Sequence, residues 1–249
     1  MQAMVRLRQR MAIRPVQPIW GLAPAGPAWA LVGLSRVGTD LARVHTSAIL
    51  QAPTGPAVPD GAWLSQALAQ AGRAQRSRRH KVAMSVDVPD LVRGELSCPA
   101  DLPREAWPAE IQLEVAQALD LPPSEVSFDF HAETAGTASA VRLRWAGCAK
   151  SRVSEYQGWS AGAGWQLVSV EPAMDASQRA AQALVGGLPS LLQQAPQDWQ
   201  FRLPEASGVR PKNPSTDTDS AVEAALRQVL ATPAGPRLVA AGLALKAWP

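Results

Sequence analysis

Cysteine and histidine are scarce here: two cysteines and three histidines among 249 residues. Two cysteines are too few for a disulfide-built scaffold. No CxxC and no clustered histidine spacing accompanies Cys98 and Cys148, so no metal site is expected. Both fall at the ends of predicted strands and read as reduced, half-buried thiols, with a disulfide as the alternative if those strands are neighbours. A membrane-spanning run is also missing. Residues 15–34 carry no charge, but Pro15, Pro18, Pro24 and Pro27 interrupt them and Gly21, Gly26 and Gly33 dilute them, leaving no continuous apolar stretch of roughly 18 residues. Residues 1–17, with Arg6, Arg8, Arg10 and Arg14, read as a loose basic leader on a soluble protein. The net charge of +3 is too small to require nucleic acid as a partner.

What is present suits a folded chain. Hydrophobic residues make up 47% and charged residues 18%, which excludes wholesale disorder and allows one large or two small domains. The 22 prolines cluster in loops, outside the periodic segments.

The chain is organised around residues 91–148. Alternation over 91–98 predicts a strand, and 103–121 a helix with Asp101 as candidate N-cap. Two more strands follow, 124–133 and 139–147. In them Val126, Phe128 and Phe130 share one face and Val141, Leu143 and Trp145 another. Pairing like with like matches the phenylalanines with Val, Leu or Trp, and sets Asp129 beside Arg142 or Arg144. That pair reads either as a polar docking site or as a solvated cross-strand ion pair worth about 0–1 kcal/mol.

Before this block, strands are predicted near 18–24, 28–36 and 40–50, a helix over 61–75 and a strand over 81–89. After it come a helix over 150–164, a strand over 165–172 and a helix over 173–189. Residues 202–220 read as a linker, and 220–231 and 236–248 as short helices. Residues 73–81 hold the densest positive run, including Arg73, Arg76, Arg78 and Arg79. It reads as a helix C-terminus followed by a solvated loop, or as a surface facing anionic head groups. No aromatic residue interleaves it, which disfavours stacking on nucleic-acid bases.

The order of elements resembles the PilM family of pilus-assembly proteins, cytoplasmic relatives of FtsA with the actin-like ATPase fold. The likeness is carried by WGLAPAGPAWALVGLSR (20–36), KVAMSVDVPDLVRGELSCPADL (81–102), SEVSFDF (124–130) and AAGLALKAW (240–248). The fold class implied is α/β: a reduced actin-like (ribonuclease H-like) lobe with an inserted small α+β (strand-helix-strand-strand) subdomain. The main subdomain would span 18–90 and 149–190, the insert 91–148, and 191–249 a linker plus the remnant of a second lobe.

The sequence departs from that family at the phosphate loop. The loop would lie at Gly21, Ala23 and Gly26, and Ala23 stands where the family has an Asp. A methyl group cannot hold a hydrated metal ion. No DxG motif follows residue 190. The expectation is therefore a pseudo-ATPase without cofactor or catalytic residues. The resemblance implies a non-catalytic scaffold at the inner face of the bacterial inner membrane, holding the cytoplasmic tail of a PilN-like protein in a groove between main and inserted subdomains. Val88, Leu91, Val92, Ile111, Val115 and Leu119 are the candidate groove wall; each also reads as plain core. The arginines of 73–79 would face the membrane. Self-association is left open. The alternatives are an actin-like component of a type II secretion system, an active actin-like ATPase, and a nucleic-acid-binding module.

Overall fold

The structure, a computed structural model, describes residues 18–53, 60–73, 80–86, 88–99, 101–133, 140–203 and 216–248. Its larger sheet begins as a meander of β1 (Ile19–Ala25), β2 (Ala28–Val37) and β3 (Leu41–Gln51), followed by α1 (Asp60–Arg73) and β4 (His80–Val86). Gly26, at φ 66°, sits first in the two-residue turn between β1 and β2, where Pro27 follows. That position of a hairpin demands a positive φ, which glycine adopts without strain. Beyond the inserted block, α3 (Lys150–Gly162), β8 (Trp165–Pro172), α4 (Ala173–Ala183), α5 (Gly187–Leu191), β9 (Gln200–Arg202), α6 (Thr216–Leu230) and α7 (Gly235–Lys246) complete it. The strand order is β8-β4-β1-β2-β3-β9; β1, β4 and β8 are mutually parallel and the other pairings antiparallel.

Alternation along β1 divides the core in two. Trp20 and Leu22 face α1 and α3, packing with Leu64, Leu68, Met84, Tyr156 and Trp165. Ala23 faces the opposite layer, where α4, α6 and α7 bring Ala176, Ala180, Leu226, Leu238 and Leu243. Beyond residue 190, β9 adds to the main sheet and α6 and α7 to its covering layer. The nine buried residues of α7 explain this: a helix so apolar must cover something.

The insert runs from the turn Val88–Asp90 through β5 (Val92–Pro99), α2 (Trp107–Leu119), β6 (Val126–Glu133) and β7 (Ala140–Ala149). Its sheet has the order β5-β7-β6, and α2 covers one face. Asp101 is not the cap of α2. A 3-10 turn over Arg104–Ala106 precedes the helix, and Pro108 at its start fixes where it begins. The helix expected over 173–189 ends at Ala183, because Leu184 turns extended to bridge Phe201.

The hairpin register also corrects an expectation. Phe130 does face Trp145, but Asp129 faces Ala146, and His131 faces Arg144. Arg142 and Arg144 instead reach Glu95 of β5, at 3.8 and 3.5 Å. β7 is the central strand, so its arginines had a second neighbour that the hairpin alone did not reveal.

Both cysteines are free and buried, at opposite ends of the small sheet: Cys98 faces Val141 and Cys148 faces Ser127. Burial raises the pKa of each thiol, which keeps them protonated and unreactive.

His80 opens β4 between two tryptophans, with ring centroids 4.8 Å from Trp165 and 6.0 Å from Trp20. Its Nδ1 is buried without a partner. Burial lowers its pKa from 6.5, outweighing a hydrogen bond to the Gly72 backbone that acts the other way. The folded protein therefore keeps His80 neutral, while the unfolded chain takes up a proton as pH falls through about 6.5. The stability is fully present above that pH and is lost progressively below it. Thermal unfolding is expected to show stability falling as pH drops from about 6.5 to about 5, a fall absent in His80→Gln once its own baseline is subtracted.

Candidate groove between the two sheets

Among the described residues the main sheet ends at β8, whose outer edge has no strand beside it. Such an edge offers a row of backbone N–H and C=O groups to an extended chain. The insert stands across from it. Because its strands alternate and α2 takes the apolar face, the face left over is polar: Arg93 and Glu95 from β5, Ser127, Asp129 and His131 from β6, and Arg144 from β7. Between this face and β8 lies an open groove of about 850 Å³, within the size of ligand-binding clefts, roughly 300–1,000 Å³. Leu167 to Glu171 of β8 line it opposite the insert, and Ala146 and Cys148 lie on its floor.

Its charges are largely satisfied within the chain. At one end Arg179 of α4 grips Glu171 with both guanidinium nitrogens, at 2.6 and 2.8 Å, and donates to the Gly242 carbonyl at 2.8 Å. Lys246 of α7 reaches the same carboxylate at 3.1 Å. Glu171 is buried, so this cluster ties β8, α4 and α7 together in a low-dielectric setting. Arg93 of β5 reaches Asp175 of α4 at 3.1 Å, holding the insert to the main body. Arg152 of α3 reaches Asp90 in the entry turn at 2.8 Å, a second strut.

Of the six residues expected to wall the groove, Leu91 lines it. Ile111 and Val115 are fully buried between α2 and its own sheet, and Val92 and Leu119 pack against that same core. The stripe of α2 points away from the groove because its own sheet satisfies it first. Val88 is in the Val88–Asp90 turn, and its side chain lies outside the described residues. Arg73 is exposed in the last turn of α1; Arg76, Arg78 and Arg79 lie outside the described residues. Gly21 and Ala23 are inside β1 with Gly21 tight under α7, and Gly26 is at the hairpin tip. Sequence reasoning missed β8 as a free edge and the Glu171–Arg179–Lys246 cluster. The local signal was an acidic residue, Glu171, near the end of a mostly apolar strand.

Among the described residues, no helix is long and apolar enough to cross a membrane, and no three His, Cys, Asp or Glu side chains group to hold a metal. The sequence matches no protein-family model and no curated protein. Among solved structures the chain is similar to the PilM-PilN type IV pilus biogenesis complex, at 19% identity and a TM-score of 0.54, over 66% of this chain and 52% of that one. It is also similar to the cytoplasmic domain of EpsL, an inner membrane component of the type II secretion system of Vibrio cholerae, at 11% identity and a TM-score of 0.47, over 64% of this chain and 59% of that one. The chain thus spans about half the length of the pilus protein it matches. At this identity the likeness is one of fold alone, a mixed α/β fold.

Proposed function

We propose that this chain is a non-catalytic component of a type IV pilus or related secretion machine, holding an extended tail of a PilN-like inner-membrane protein on its cytoplasmic side. The observation that carries the reading is the groove: a strand edge unpaired among the described residues faces a polar sheet across an open space of about 850 Å³. A strand edge supplies main-chain hydrogen bonds, and the side chains opposite select what is bound. The pilus complex that shares this fold lends the kind of partner. Ala23, in place of a metal-binding acid, supports a role without ATP hydrolysis.

The test is a pulldown with the immobilised cytoplasmic tail of a PilN-like protein. Wild-type protein is expected to be retained, and Ala146→Trp, which fills the groove from its floor, to be lost at least tenfold. Indifference of the wild-type protein to the tail at high micromolar concentration would remove the mechanism.

A further inference from the structure

We infer that the groove selects a segment bearing a basic side chain, and that Asp129 is the group it pairs with. The inference rests on the peptide-holding reading above and names the chemistry of the occupant. The charge inventory of the lining points to it. Each cation there is engaged within the chain: Arg93 with Asp175, Arg144 with Glu95, and Arg179 and Lys246 with Glu171. Among the described residues, Asp129 is the lining carboxylate with no ion pair. It is exposed on the outer strand of the insert, and one oxygen, Oδ1, accepts the Phe130 N–H at 2.9 Å. The residue lines the groove. Its cross-strand neighbour is Ala146, so no cation stands opposite it.

Two positive groups share one buried carboxylate at the Glu171 end, and a lone negative group lies at the β6 end. This gives the groove a polarity. An extended segment lying along β8 is favoured with its basic residue over β6 and disfavoured with it beside Lys246, because like charges brought together across an interface cost binding. The pair with Asp129 is partly solvated, so its contribution is to selection more than to overall strength.

The probe is a set of fluorescein-labelled, acetylated octapeptide pools, each with one position fixed as Arg, Lys, Ala or Glu. Binding is read by fluorescence polarisation to the full chain. With wild-type protein, one position is expected to favour Arg or Lys over Ala by about fivefold, the scale of a partly exposed ion pair. Asp129→Asn is expected to flatten that preference while still binding the pools, and Asp129→Lys to turn it toward Glu at the same position. Ala146→Trp should weaken every pool alike. Wild-type binding with no basic preference, or a preference that Asp129→Asn leaves intact, overturns this inference and leaves the groove reading standing. Failure of the wild-type protein to bind any pool removes both.

Discussion

Gly21→Ala is expected to destabilise the protein by about 3 kcal/mol or more, in the range of severe overpacking. A β-carbon at Gly21 would overlap the Ala240 carbonyl oxygen of α7 and stand 2.9 Å from the Ala244 nitrogen. Both obstacles are helix backbone, which cannot rotate aside as a flexible side chain can. The contact is matched on the other flank of α7, where a β-carbon at Gly242 would overlap the Ala176 carbonyl of α4. α7 is thus seated by two glycines, one below it in β1 and one within it facing α4. Denaturant unfolding checks this: the midpoint should fall sharply for Gly21→Ala and for Gly242→Ala, with little change in slope. If Gly21→Ala left stability unchanged but abolished binding of ATP, Gly21 would return to a phosphate-loop role and the packing argument would be wrong.

Glu171→Ala is expected to cost about 1–3 kcal/mol, because it removes the shared counter-charge of Arg179 and Lys246, which are each about a third exposed and still reach water. Arg179→Ala should cost nearly as much, since it leaves the buried carboxylate with Lys246 alone and frees the Gly242 carbonyl. The pairing argument makes a sharper statement. Glu171→Leu combined with Arg179→Leu should be less destabilising than Arg179→Ala alone, because it leaves no buried carboxylate short of its partner, and Lys246 is exposed to water. Additive losses in a double-mutant cycle would show that the two side chains act separately and that the cluster does not join β8, α4 and α7.

Much of the element order was legible in the sequence. Strand alternation and helical spacing are local properties, and β1 to β3, α1, β4, β5, α3 and β8 lie within a few residues of where patterning sets them. β9 was not legible, since three residues between Trp199 and Leu203 are too short to show a period. The candidate site was less readable still. Leu91, Ile111 and Val115 were all expected in the groove wall, yet Leu91 lines it and Ile111 and Val115 are buried between α2 and its own sheet. A stripe on a helix announces that it will be buried without saying against what. Glu171, Arg179 and Lys246 show the same limit: they meet only because α7 returns across the main sheet.

The sequence by itself determined that this chain folds around alternating strands with an α+β block spliced between β4 and α3, and that Ala23 leaves its first hairpin without an acid. Those are decisions of side-chain type and spacing, made within single elements. Only the tertiary structure decided that α2 takes the apolar face of the insert, that the polar face looks at the bare edge of β8, and that α7 lies on Gly21. Each of these is a choice between partners distant in the chain. It is made by which apolar surface finds the best fit, a quantity that belongs to pairs of elements and is written in neither one alone.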